Sequence, residues 1–202
     1  AARRRFSRVS ASGRLRAATG GLVEAFEYMP GSYMQRLSEA RPDIALPFGG
    51  TKYDTNILVE IAATAPRDCT PDDAGAVPLT ALLETTLAGL IEEGAVLDAE
   101  IAQTEAQRLA MWQRRELAAE ITLDRQPTID TDIALPLHLV PAFFAGIEAR
   151  LPALDPGCDT LSVAHLGDGN IHYTVFPTRD DPALYDAVVE AVEDVVQDLG
   201  GS

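Results

Sequence analysis

The chain has 202 residues, 47% apolar and 23% charged, which is the composition of a soluble globular domain with one sizeable core or a duplicated motif. Its net charge of −15 argues against a nucleic-acid partner, and its short, interrupted apolar runs leave nothing expected to span a bilayer. Cys69 and Cys158 have no CxxC spacing, which argues against a disulfide framework and for a reducing, cytoplasmic setting.

Residues 1–20 carry six arginines (Arg3, Arg4, Arg5, Arg8, Arg14 and Arg16) and no acid. Arg- and Ser-rich, acid-free ends occur in organelle transit peptides. Phe6, Val9 and Gly13 share one helical face, however, and predict a helix with a solvated basic side. Leu22 to Tyr28 alternates as a half-buried strand, followed by a short helix from Gly31 to Ala40 and a Pro/Gly-punctuated loop to Gly50. Asn56 to Ala62 predicts a second strand, and Ala65 to Gly75 a polar loop. Leu79 to Glu93 reads as a helix with Leu79, Leu82, Leu83, Leu87, Leu90 and Ile91 as its apolar stripe and Gly94 as its stop.

Val96 to Ile101 predicts a strand, and Thr104 to Ile121 one amphipathic helix capped at Thr104. A strand over Ile129 to Leu135 and a helix over Val140 to Arg150 follow. The last helix runs from Pro182 to Leu199, with Asp180 or Asp181 as its cap. Strands alternating with helices around an embedded hairpin predict an α+β fold. Its sheet is mostly antiparallel with helices packed on one face, of the ferredoxin-like kind and duplicated. No GxGxxG or Walker loop is present, so the chain carries no recognisable nucleotide cradle.

The hairpin is the most informative segment. In Leu161-Ser-Val-Ala-His-Leu-Gly-Asp-Gly-Asn-Ile-His-Tyr-Thr-Val-Phe176, Asp168-Gly169 separates two apolar runs and suits a tight turn whose central residues need positive φ. A two-residue loop pairs Gly167 with Asn170, Leu166 with Ile171, and His165 with His172. Directly opposed side chains have Cβ atoms roughly 4.5–5.5 Å apart, close enough for two imidazoles to supply two legs of a zinc site that needs a third ligand from elsewhere. A hairpin with two ordinary half-buried histidines has the same pattern.

The string Ala-His-Leu-Gly-Asp-Gly-Asn-Ile-His-Tyr (164–173) resembles the G-H-x-G-D-G-N-x-H signature of FAD-linked oxidases of the D-2-hydroxyacid dehydrogenase group. That group includes D-lactate dehydrogenases, glycolate oxidase large subunits and D-2-hydroxyglutarate dehydrogenases, within the vanillyl-alcohol-oxidase superfamily. Glu24-Ala-Phe-Glu-Tyr-Met29 is similar to the family's "SAFE-x-M" strand. Met111-Trp-Gln-Arg-Arg-Glu116 is similar to its "LWxxRE" helix, and Asp132-Ile-Ala-Leu-Pro136 to its "DVSVP" strand. Each motif alone is weak, but their order makes the set specific.

The resemblance implies that residues 1–202 are the cap, or substrate-binding, domain of a longer flavoenzyme. The FAD is then held mainly by an N-terminal domain of the same polypeptide, and a glutamate and histidine follow the present C-terminus. It implies oxidation of a 2-hydroxyacid by hydride transfer to flavin, assisted by zinc or another divalent metal. His165 and His172 become metal ligands and Arg115 the clamp for the substrate carboxylate, while Asn170 reaches flavin or substrate. Arg114 points about 100° away around the helix, toward solvent.

Two positions depart from the hydroxyglutarate-like members. Asp130 stands where they have a lysine, and Ala119 where they have a threonine, which favours a monocarboxylate such as lactate or glycolate. His138 reads as a surface histidine. Without its flavin domain the chain is expected to be inactive. The full-length enzyme is expected to be cytoplasmic or membrane-peripheral and compatible with a homodimer. The competing expectation is a stand-alone, non-redox α+β module that uses the histidine pair to hold a metal or a small acid.

Overall fold

A computed structural model describes residues 13–202. The basic helix expected around Phe6 and Val9 lies outside the described residues. Residues 13–18 are helical (α1) and lead into strand β1, Val23–Pro30. In chain order there follow α2 (Gly31–Ala40), β2 (Thr55–Ile61), α3 (Pro66–Cys69), α4 (Pro78–Glu92), α5 (Glu105–Glu116) and α6 (Ala118–Leu123). The chain closes with β3 (Ile129–Ala134), α7 (Val140–Leu154), β4 (Asp159–His165), β5 (Asn170–Phe176) and α8 (Pro182–Asp198).

The five strands form a single sheet in the order β2-β1-β4-β5-β3, and every neighbouring pair is antiparallel. The α+β class and the antiparallel sheet agree with the sequence. β3-α7-β4-β5 is a split β-α-β arrangement of the ferredoxin-like kind, with β5 inserted between the parallel β3 and β4. β1 and β2 instead pair directly across α2, so the expected duplication is not repeated in the other half.

Alternation along the strands sends apolar side chains to both faces of the sheet, and helices cover both rather than one. Phe26, Tyr28, Ile129, Ile133, Ile171, Tyr173 and Val175 pack with Phe143 and Ile147 of α7 and with Val188, Val192 and Val195 of α8. On the opposite face, Leu161 and Val163 join Tyr33 and Leu37 of α2 and Ala118 and Ile121 of α6. One helical stretch, Leu137–Leu154, is long and apolar enough to cross a membrane by length and composition, beyond what the sequence suggested. Its Val140, Phe143, Ile147 and Leu151 are buried in the core.

Besides the short α3 inside the expected loop Ala65–Gly75, two elements differ from expectation. Val96 to Ile101 is irregular, because the N–H groups of Ala95 and Val96 bond back to Leu90 O (2.9 and 3.1 Å) around Gly94 at φ +69°. Asp98 Oδ1 then takes Ala99 N at 2.8 Å, so these backbone groups are not available to a ladder. The helix expected over Thr104–Ile121 is two helices meeting at Leu117, where ψ is −2°. Its start is as expected. Thr104 Oγ1 accepts from Gln107 N (3.2 Å), and Gln107 Oε1 accepts from Thr104 N (3.0 Å), a reciprocal cap.

The hairpin register is shifted by two residues. His165 pairs with Asn170, Ala164 with Ile171 and Val163 with His172. Residues 166–169 form the loop, and both Asp168 N and Gly169 N bond to His165 O (3.2 and 3.1 Å). A slip of one residue would send the two histidines to opposite faces, whereas a slip of two keeps them together. Gly169 has φ +85°, its carbonyl oxygen accepts from Leu135 N (3.0 Å), and an added Cβ would lie 2.0 Å from Leu135 O. Only glycine fits this approach between the hairpin and the end of β3.

At the far end, the buried Asp155 closes α7 onto the start of α8. It accepts from Thr178 Oγ1 (2.5 Å), Thr178 N (2.7 Å) and Arg179 Nη1 (3.3 Å). These bonds, the Thr178 hydroxyl first, hold its carboxyl below the usual carboxylate range. A depressed folded-state pKa stabilises the fold above the unfolded carboxyl's pKa of about 3.9, and this contribution fades as pH falls through the folded value. Asp155→Asn is therefore expected to lower the urea midpoint at pH 7, with the gap to wild type narrowing below about pH 4. A gap independent of pH would contradict this.

Candidate functional site

Antiparallel pairing of β1 with β4 sets Glu27 opposite His165. Glu27 is 4% exposed, on a strand whose neighbours Phe26 and Tyr28 face the other side. From across the sheet face, α5 delivers Arg115, 7% exposed. Glu27 Oε2 accepts from Arg115 Nε at 2.9 Å and lies 2.7 Å from His165 Nδ1. Arg115 Nη2 lies 3.3 Å from His165 Nε2. One carboxylate, one guanidinium and one imidazole thus form a closed ring of contacts between three elements.

The second imidazole is adjacent. The His165 and His172 rings meet edge-on with centroids 5.3 Å apart. Asp132, the β3 partner of His172, places Oδ1 3.5 Å from His172 Nδ1. Two residues further along the same face, Asp130 Oδ1 accepts from the buried Thr174 hydroxyl at 2.6 Å. The His165 and His172 side chains are 44% and 33% exposed, so the cluster opens to solvent on the imidazole side.

The structure therefore brings together His165, His172 and Arg115, as the sequence suggested, by a diagonal contact rather than the predicted direct pair. Arg115 is not an exposed helix arginine. It is committed to Glu27 and His165, and its Nη1 makes no hydrogen bond among the described residues. Asn170 begins β5, and its Oδ1 is buried with no hydrogen-bond partner among the described residues. His138 is exposed on the turn before α7, as expected for a surface residue, and Ala119 is exposed on α6. Arg114 is not solvated as expected, since its Nε donates to Ala45 O at 2.8 Å.

Sequence reasoning missed Glu27. The available signal was an acid flanked by core residues in Glu24-Ala-Phe-Glu-Tyr-Met29, at the parity opposite to Phe26 and Tyr28.

For a metal, two imidazoles with a carboxylate at each Nδ1 are oriented as ligands usually are. The described residues include no group of three His, Cys, Asp or Glu able to hold an ion. The Arg115 guanidinium also lies against His165 Nε2, the atom a metal would need. By themselves, then, these residues do not fit a metal ion.

These features define an α+β domain with a polar cluster at the rim of an antiparallel sheet. The chain belongs to the family of FAD linked oxidases, C-terminal domain, whose pattern matches residues 71–202. It is similar to D-2-hydroxyglutarate dehydrogenase of Xanthomonas citri pv. viticola, 31% identical over 136 residues that make up 65% of this chain and 28% of that protein. The enzyme of the same name from Stutzerimonas stutzeri is 33% identical over 85 residues, 42% of this chain and 18% of that protein. The mitochondrial D-2-hydroxyglutarate dehydrogenase of Arabidopsis thaliana is 26% identical over 156 residues, 77% of this chain and 25% of that protein. The chain thus spans less than a third of the length of these relatives.

Two outcomes follow for this cluster. Arg115→Met alone strands Glu27 as a buried, half-paired carboxylate and is expected to cost about 3–5 kcal/mol, whereas Glu27→Met with Arg115→Met costs far less. Urea unfolding of the three proteins measures it, and equal losses would contradict the pairing. Zinc titrated calorimetrically into the protein is expected to bind weakly. Tight binding that His172→Ala leaves unchanged would show ligands other than this pair.

Proposed function

We propose that this chain is the cap, or substrate-binding, domain of an FAD-dependent oxidoreductase that converts a 2-hydroxyacid to a 2-oxoacid. The observation that carries the reading is the juxtaposition, within a domain of this family, of the Arg115 guanidinium 3.3 Å from His165 Nε2 and of the His165 and His172 rings with centroids 5.3 Å apart. Oxidation of a 2-hydroxyacid removes the hydroxyl proton and the C2 hydrogen with its electron pair, so the site must hold a carboxylate, accept a proton and fix C2. A flavin bound by a separate domain of the same polypeptide supplies hydride acceptance.

This chain's own residues provide the rest. The free Nη1 edge of Arg115 takes the substrate carboxylate, with the directed geometry a planar guanidinium offers. His165 Nε2 accepts the hydroxyl proton once the substrate displaces the Arg115 Nη2 contact that faces it. Asn170 Oδ1, buried and without a partner, fits a donor on the flavin or the substrate. His165 and His172 would be two ligands of a divalent metal only if a third donor came from elsewhere and Arg115 left Nε2. Ser202 and Ala134 exchange backbone hydrogen bonds (2.7 and 3.1 Å), so a segment continuing in that register would run along β3 past Asp132, beside the histidines.

The substrate carries one carboxylate. Relatives named for D-2-hydroxyglutarate act on a diacid, but here Asp130 lies on the site face, two residues from Asp132, and would repel a second carboxylate. The test joins the chain to its flavin domain and measures bound flavin and its reduction. A yellow protein reduced by D-lactate or glycolate with a higher kcat/KM than by D-2-hydroxyglutarate is expected. A colourless protein overturns the flavoenzyme reading, and preference for the diacid overturns the monocarboxylate.

A further inference from the structure

We infer that Glu27 is a positioning residue that decides which ring nitrogen of His165 carries the proton. A neutral imidazole has one donor and one acceptor nitrogen. Nδ1 lies 2.7 Å from Glu27 Oε2, a carboxylate oxygen that can only accept, so Nδ1 carries the proton. Nε2 then keeps its lone pair, and the guanidinium N–H of Arg115, which can only donate, faces it at 3.3 Å. Two contacts on opposite atoms of the ring require the same tautomer. The other tautomer would set a lone pair against the carboxylate and an N–H against an N–H.

His172 is held differently. Its Nδ1 is 3.5 Å from Asp132, whose side chain is 62% exposed, so water competes for that contact. The two imidazoles are therefore not equivalent. His165 is fixed by a buried carboxylate, and His172 is free to adjust.

Stability does not account for Glu27. Burying a carboxylate and a guanidinium together gains little over an apolar pair of the same size. What the acid provides is orientation. The same Oε2 that fixes the imidazole also holds Arg115 Nε at 2.9 Å, so the proton acceptor and the carboxylate clamp are set relative to each other by one atom. The catalytic meaning of this rests on the function proposed above, whereas the tautomer does not.

Two-bond 1H–15N spectra of histidine-labelled protein at about pH 8.5, above the free imidazole's pKa of about 6.5, report which nitrogen of each ring is protonated. In the wild type His165 is expected to be protonated at Nδ1. Arg115→Met keeps that proton in place, because Glu27 remains. Glu27→Met with Arg115→Met, which removes both buried charges together, moves it toward Nε2, while His138 and His172 keep their wild-type signals. A wild-type His165 protonated at Nε2, a double variant still protonated at Nδ1, or a shift in Arg115→Met alone each overturns the proposal. Should Arg115→Met not fold, wild type and the double variant decide it. No flavin enters the measurement, so a colourless joined enzyme and a wrong tautomer are separate failures.

Discussion

Glu27 Oε2 accepts a hydrogen bond from Arg115 Nε and lies 2.7 Å from His165 Nδ1, and so ties β1, α5 and β4 together at one point. A buried charge tolerates no loose partners, because an unpaired carboxylate in a low-dielectric interior costs several kcal/mol, on the order of 3–5. The α5 helix is consequently fixed in rotation by Arg115 as well as by Met111 and Trp112, which pack beside the Leu161–Val163 cluster. The capped start at Thr104 and the bend at Leu117 are the two ends of this anchored segment. Past the bend, Ala118 and Ile121 return to the core under α2.

How much of this was legible in the sequence depends on the range of the interaction. The helix from Gly31 to Ala40, the stop at Gly94 and the cap at Thr104 rest on neighbours within a few residues, and all were readable. The hairpin was readable as a hairpin, but its register was not. Asp168-Gly169 satisfies a two-residue turn locally, and the loop is widened by contacts the sequence does not display, Gly167 N to Phe26 O and Gly169 O to Leu135 N. The histidines survived the error because a slip of two preserves parity.

Val96 to Ile101 failed for the opposite reason. Its composition suits a strand, but the preceding helix takes its first N–H group, at Val96, and leaves the segment as a tail to α4. Glu27 was hidden by distance, since its partners Arg115 and His165 lie 88 and 138 residues away in the chain. Only the oddity of an acid between core residues marked it.

Charge also shapes what the site can hold. Glu27 already neutralises Arg115, so an incoming carboxylate meets a guanidinium whose directional bonds remain partly free and whose net charge is spent. Recognition then depends on the geometry of Nη1 more than on long-range attraction, consistent with a chain of net charge −15. Asp132 and Asp130 extend the negative field along β3, away from Arg115. A 2-hydroxyacid held as proposed, with its carboxylate at Arg115 and its hydroxyl toward His165, would point its remaining carbon chain either out past the exposed imidazoles or along this acidic strand. An uncharged chain would accept either path, but a second carboxylate would be left with only the first, where water screens it.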